Sequence, residues 1–213
     1  MNKFVTAFTK LTAWPVQFFC FRTKVYFESK KQKNNRVTGA AIIISNHTAL
    51  YDFAVMLFVF WRRIIRCQAA EVLFKKKGPL PWFLRALGCI EVNRETHNFS
   101  FVGKSEQILD DGGVVCIFPE SRLPKPEEER PLEFKPSAVY IALQTGAPII
   151  PVYTNGSYFK RKRARVMIGD KIYARELLSE DLTEKENIAN INAIIRKKTI
   201  ELKDELERRI KNK

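Results

Sequence analysis

Short apolar runs alternate along this chain with polar, turn-forming stretches, and their lengths set most of the predicted elements. The run Ala40-Ala-Ile-Ile-Ile-Ser45 is brief, β-branched and bounded by polar residues, which predicts a buried strand. Ile64–Ala70, Cys89–Val92, Val114–Phe118, Ile149–Thr154 and Arg165–Ile168 read the same way, Val114–Phe118 most clearly. Between them lie helical patterns at Phe53–Trp61, Trp82–Leu87, Phe99–Leu109 and Ser137–Gln144, the last closed by Gly146. Asp52 stands where it could cap the first of these helices. From Thr183 to Lys213 the residues Ile188, Ile191, Ile195, Leu202 and Leu206 recur at helical spacing, predicting a long amphipathic helix. Strands alternating with helices imply an α/β domain with a largely parallel sheet flanked by helices. Functional groups in such sheets gather where loops leave the carboxyl ends of strands, here after Ser45, Val92, Phe118 and Tyr153.

The first 35 residues follow a different pattern. Phe4–Phe21 is rich in apolar and aromatic side chains but broken by Thr6, Thr9, Lys10, Thr12, Pro15 and Gln17. A spanning helix needs about 20 mostly apolar residues, so this segment is too interrupted to cross a bilayer. Next come Arg22, Lys24, Lys30, Lys31, Lys33 and Arg36 against Glu28 alone. Aromatic residues followed by a polybasic stretch suit a helix lying in the interface of an anionic membrane, with a break near Pro15. The expected organisation is thus an N-terminal membrane-interface helical segment, residues 1–35, and a main domain, residues 36–213, that includes the long C-terminal helix. The net charge of +14 agrees with an anionic partner. No nucleic-acid motif is present, and the aromatics lie in apolar stretches rather than among the basic runs, so no nucleic-acid partner is expected. The run Lys160-Arg-Lys-Arg163 fits either a solvated surface or a contact with membrane or phosphate. Cys20, Cys67, Cys89 and Cys116 are widely spaced and form no CxxC pair, as expected of free thiols in a reducing compartment and not of a metal site.

Candidate chemistry sits in the strand-exit loops. Ser45-Asn-His-Thr-Ala-Leu-Tyr-Asp52 places one of only two histidines at a strand end, with a carboxylate five residues later. Histidine titrates near neutrality and can take a proton from an attacking hydroxyl, while a carboxylate on its other nitrogen fixes the tautomer. Gly88-Cys-Ile-Glu-Val-Asn-Arg94 ends a strand with an arginine suited to bidentate phosphate binding. Phe118-Pro-Glu-Ser-Arg122 ends another with a glutamate and an arginine two apart. Pro148-Ile-Ile-Pro-Val152 brackets an apolar run with prolines, which predicts a bent or edge strand.

Taken in order, these blocks resemble the lysophosphatidic acid (1-acylglycerol-3-phosphate) acyltransferase family of NHx4D glycerolipid acyltransferases. The resemblance covers residues 40–155. His47 and Asp52 match the NHx4D block, Arg94 the arginine-ended strand, Phe118, Pro119 and Glu120 the FPEG block, and Thr145–Val152 the proline-flanked block. Two departures stand out: Ser121 replaces the glycine after the glutamate, so that Arg122 comes one residue early, and Ser137 stands where glycine is common. The resemblance implies a glycerol-3-phosphate acyltransferase-like fold with His47 and Asp52 catalytic. It implies that Arg94, Glu120, Ser121 and Arg122 contact the acceptor, and it calls for no cofactor or metal. The implied reaction moves a fatty acyl group from acyl-CoA or acyl carrier protein to a lysophospholipid hydroxyl, at the cytoplasmic face of the membrane, in a peripheral or monotopic enzyme. Two alternatives are a same-fold enzyme for another lysolipid or aminolipid acceptor and a non-catalytic basic membrane-binding module.

Overall fold

The computed structural model describes residues 3–30, 37–93, 99–125, 127–159 and 163–212. Among the described residues seven strands form one sheet: β1 (Lys24–Phe27), β2 (Ala41–Ser45), β3 (Ile65–Ala70), β4 (Ile90–Val92), β5 (Val114–Ile117), β6 (Ile149–Thr154) and β7 (Arg165–Ile168). Their order is β1-β7-β6-β2-β5-β3-β4. The pairs β6–β2, β2–β5, β5–β3 and β3–β4 are parallel, β7 is antiparallel to β6, and β1 is parallel to β7. Chain order therefore diverges on either side of β2, the position at which open α/β sheets form a crevice.

Both faces of the sheet are covered, so its central strands are apolar throughout rather than alternating. Ala41 and Ile43 of β2 face one side, with Val55, Met56 and Leu57 of helix α3 (Asp52–Val59). Ile42 and Ile44 face the other, against α6 (Ser100–Asp110), α7 (Ser137–Thr145) and α8 (Glu184–Lys211). Helix α8 starts with a capping box between Thr183 and Glu186, and its Ile191, Ile195, Leu202 and Leu206 are buried as their spacing predicts. Gly146 closes α7 in the left-handed conformation, with φ +71°. The short helices α4 (Glu71–Phe74) and α5 (Leu80–Ala86) lie between β3 and β4.

The structure departs from expectation in two places. The stretch read as helical with a break near Pro15 is α1 (Lys3–Thr12), α2 (Trp14–Val16) and a π-turn (Gln17–Phe21), followed by strand β1. Lys24–Phe27 pairs residue for residue with Arg165–Ile168, so part of the basic stretch belongs to the sheet. Four residues with one buried tyrosine, Tyr26, carry too weak a pattern to betray an edge strand. Lys31, Lys33, Arg36 and the expected boundary at 35–36 lie outside the described residues. The second departure is the proline-flanked run, which forms β6 in the middle of the sheet rather than at its edge. Pro151 escapes the penalty for a missing N–H because its carbonyl side faces Gly169, just beyond the end of the β6–β7 ladder.

Candidate active site

The three central strands β2, β5 and β6 send their carboxyl-end loops to one place. Asn46 leaves β2 and makes a reciprocal pair with the backbone of Thr154 at the end of β6. Its amide donates to the Thr154 carbonyl at 2.9 Å and its oxygen accepts from the Thr154 N–H at 2.8 Å. This double contact fixes where the next residue, His47, begins.

The His47 ring is stacked on Phe118 with centroids 4.7 Å apart, and its Nδ1 lies 2.8 Å from Asp52 Oδ2. Asp52 is fully buried. The Thr48 N–H (2.6 Å) and the Ala49 N–H (2.9 Å) also donate to its Oδ2, and the Thr48 hydroxyl (2.7 Å) and the Tyr158 hydroxyl (2.5 Å) to its Oδ1. A buried carboxylate surrounded by donors needs a donor from His47 as well, so the imidazole proton sits on Nδ1. Nε2 is left as the nitrogen that can accept a proton. Asp52 does not cap α3 as its position suggested. It is the first helical residue and its carboxylate turns back to the His47–Ala49 loop.

Tyr158 completes this network. Its hydroxyl lies 3.0 Å from Thr154 Oγ1, and burial, with the Asp52 charge beside it, raises the phenol far above its ordinary range. Phe21, the last residue of the π-turn, packs edge-on against the Tyr158 ring at 5.4 Å. Gly156 lets the chain pass close to Thr48, because a Cβ there would come within 2.6 Å of Thr48 Oγ1. Thr48, Tyr158 and Gly156 were missed in the sequence. Tyr158 is 106 residues from Asp52, and no local spacing links the two.

Glu120 is 4% exposed, and both of its oxygens take backbone donors, the His47 N–H at 2.9 Å and the Leu132 N–H at 3.1 Å. Burial raises its carboxyl above the usual range, while those two hydrogen bonds pull the other way. The loop after β5 is thereby pinned to the histidine loop. Ser121 has φ +62°, the left-handed conformation that glycine adopts without strain. Arg122 is exposed and forms a two-point pair with Glu128, at 2.6 Å for each contact, which lowers the Glu128 carboxyl to about 2. Arg94 lies outside the described residues.

His47 opens onto a cavity of about 1190 Å³. Apolar side chains dominate its walls, among them Phe53, Val72, Leu73, Phe101 and Val102. Helix α3 contributes Phe53 to this wall, while its Val55, Met56 and Leu57 are core, and Trp82 of α5 is exposed. Among the described lining residues the cations are Arg122 and Lys135. Cys67 also reaches the cavity, but its hydrogen bond with Cys116 and its burial hold the thiol well above its ordinary value, which makes it a poor nucleophile.

Residues 24–155, over half of the chain, match the family model described as Acyltransferase. The chain belongs to that acyltransferase family. It is 26% identical over 153 residues to the human 1-acyl-sn-glycerol-3-phosphate acyltransferase beta, a match covering 70% of this chain and 54% of the human protein. The chain thus spans about half the length of that relative. It is 25% identical over 189 residues to the 1-acyl-sn-glycerol-3-phosphate acyltransferase of Bacillus subtilis (strain 168), covering 86% of this chain and 89% of that protein. The crystal structure of the 1-acyl-sn-glycerophosphate (LPA) acyltransferase PlsC from Thermotoga maritima superposes with a TM-score of 0.63 at 21% identity. That superposition covers 94% of this chain and 79% of that one, and it shows that this chain shares the mostly parallel, helix-flanked fold.

Proposed function

We propose that this acyltransferase moves a fatty acyl group from acyl-CoA or acyl carrier protein to the free hydroxyl of 1-acylglycerol-3-phosphate, giving phosphatidic acid. The observation that carries this reading is the His47–Asp52 pair, with Nδ1 held at 2.8 Å, opening onto a large apolar cavity. The named relatives support the acceptor. His47 Nε2 takes the proton of the acceptor hydroxyl as its oxygen attacks the thioester carbonyl. The tetrahedral intermediate collapses, the carbon–sulfur bond breaks, and the imidazolium returns its proton to the departing thiolate. No acyl-enzyme and no cofactor or metal is needed. The enzyme works from the membrane surface, at the cytoplasmic face, as a peripheral or monotopic protein. Among the described residues no helix is long and apolar enough to cross a membrane.

Glu120 is better suited to positioning than to acceptor binding, because its oxygens already serve the His47 and Leu132 backbones. Arg94 and Arg122 would hold the acceptor phosphate, with Ser121 beside them and Lys135 a further cation on the same wall. A phosphate reaching Arg122 must displace Glu128. That competition, with a serine at the left-handed position 121, favours a second reading in which the acceptor is a different lysolipid or an aminolipid.

Thioester consumption measured with a panel of lysolipid and aminolipid acceptors tests both readings. Lysophosphatidic acid should be the fastest acceptor, and a faster lysolipid without the phosphomonoester would replace it. His47→Ala should lower turnover by about 10²–10⁴ with the fold retained. Turnover above about a tenth of the parent rate would remove His47 from the base role, and no thioester consumption by the parent protein with any acceptor would leave a non-catalytic membrane module.

A further inference from the structure

A second, smaller cavity of about 390 Å³ lies away from His47, at the junction of the π-turn and the loop before β7. Its volume is within the roughly 300–1,000 Å³ usual for small-ligand sites. Three backbone hydrogen bonds build the junction: Phe159 N–H to the Cys20 carbonyl (3.2 Å), Ala164 N–H to the Phe21 carbonyl (3.1 Å) and Lys24 N–H to the Ala164 carbonyl (2.8 Å). They bring Arg22 and Arg163 onto the wall of one cavity. No carboxylate lines it among the described residues. Two guanidinium groups on one small cavity repel each other unless an anion joins them.

Two more observations concern the same walls. Gln17 Oε1 and Thr23 Oγ1 are buried without a hydrogen-bond partner, and both residues line this cavity. Buried polar atoms left unpaired call for a missing partner. Arg22 also has φ +47°, an uncommon conformation for a residue with a side chain, and strain of this kind gathers at ligand sites. The rim is aromatic: Trp14, Phe18 and Phe19 border the opening and are largely exposed. Such side chains settle at the headgroup level of a bilayer.

We infer that this cavity is a binding site for the phosphate of an anionic phospholipid headgroup, separate from the acyl-transfer cavity. Arg22 and Arg163 grip the phosphate oxygens, the Thr23 hydroxyl donates to a remaining oxygen, Gln17 Oε1 accepts from the phosphate's own P–OH, and the aromatic rim lies among the lipid tails. The site goes beyond acyl transfer and touches neither His47 nor Asp52.

The test uses the full-length protein and vesicles of phosphatidylcholine alone or mixed with phosphatidic acid, with binding read by sedimentation. The variant pair Arg22→Gln/Arg163→Gln is compared with Lys185→Gln/Lys197→Gln, which removes the same charge from exposed positions on α8. The arginine pair should lose about ten-fold to a hundred-fold in affinity for the phosphatidic acid vesicles. The lysine pair should lose much less. Arg22→Lys, which keeps charge and backbone but not the planar fork, should fall between. Thr23→Val removes an orphan hydroxyl without changing charge and should weaken binding in the same direction. Inorganic phosphate at constant ionic strength supplies the second arm. Tight binding of it that the arginine substitutions abolish would keep the phosphate site but make its occupant a soluble phosphate. Unchanged vesicle affinity in the arginine pair, or an equal loss in the lysine pair, overturns the site. Because the readout is binding, it is independent of whether the acyl acceptor has been identified correctly.

Discussion

In the proposed reaction the chemistry at His47 depends on one proton being on the correct nitrogen, and the residues arranged to hold it there come from two loops, the one after β2 and the one after β6. Asp52 holds Nδ1, while the Thr48 and Tyr158 hydroxyls converge on its Oδ1. Tyr158→Phe removes one charge-assisted hydrogen bond and keeps the ring that packs on Phe21. Turnover should fall by about ten-fold with KM for both substrates unchanged, because the hydroxyl acts through Asp52 and not on a substrate. A rise in KM at constant turnover would move Tyr158 into substrate contact instead. Glu120 offers a pH-dependent counterpart. Burial raises its carboxyl, so the folded chain binds that proton more tightly than the unfolded chain does. The resulting contribution to stability is fully present below the unfolded value near 4.5 and is lost as pH rises through the elevated folded value. Glu120→Gln should therefore flatten this part of the curve of melting temperature against pH. It should also lower turnover, since an amide cannot accept from both the His47 and Leu132 N–H groups. An acceptor KM that rises while turnover stays level would restore Glu120 to the acceptor-contact role implied by the motif.

Between elements, the site depends on how closely the β6–β7 loop approaches the loop after β2. Gly156, with φ +63°, sits where a Cβ would press within 2.6 Å of Thr48 Oγ1, the atom that donates to Asp52. Gly156→Ala should cost about 1 kcal/mol or more from the backbone conformation alone. It should also reduce turnover by displacing Thr48. Stability lost without any loss of turnover would mean that the loop yields and Thr48 stays. This contact also shows what was legible in the sequence. Ala41–Ser45 and Val114–Ile117 announced themselves because a strand buried on both faces is a continuous apolar run. Helix α8 did so because its buried side recurs with helical period. His47 and Asp52 were legible because one loop carries both. Tyr158, Thr154 and Gly156 were not, since their link to that loop exists only after β6 has paired with β2. Strand β1 was hidden for a related reason: it is four residues long, lies at the sheet edge, and is defined by its partner β7 rather than by its own pattern.

Across the whole molecule, the N-terminal helices stand apart from the core that they adjoin. Phe4 is 75% exposed and Phe19 73%, and Phe8, Leu11, Trp14 and Phe18 are exposed with them. Inward contacts include specific ones. Lys10 Nζ donates to the Trp61 carbonyl at 2.8 Å and the Arg63 carbonyl at 2.7 Å, and Phe21 is buried against Tyr158 and Phe159. An exposed aromatic face of this extent marks an interaction surface rather than a misplaced core. With a net charge of +14, such a face suits the anionic bilayer proposed above as its partner. The position of β1 decides how this should be tested. Removing residues 1–35 would also strip Lys24–Phe27 from β7 and bury-side contacts of Tyr26 from the sheet, so a loss of function could reflect unfolding. Removing residues 1–16 leaves the π-turn, Phe21 and β1 in place and deletes only α1 and α2. That shorter protein should keep its cooperative melting transition and its turnover on detergent-dispersed acceptor. Its binding to anionic vesicles should weaken, and so should its turnover on acceptor presented in those vesicles. For the parent protein, binding should fall as salt is raised, because screening at physiological ionic strength already acts over about 8 Å. The truncated protein should retain a salt-dependent residue of binding from the basic groups that remain, including Arg22 and Arg163, while losing the salt-resistant part contributed by the aromatic face. Equal vesicle binding by the two proteins at high salt would show that the exposed aromatics of α1 and α2 do not enter the bilayer.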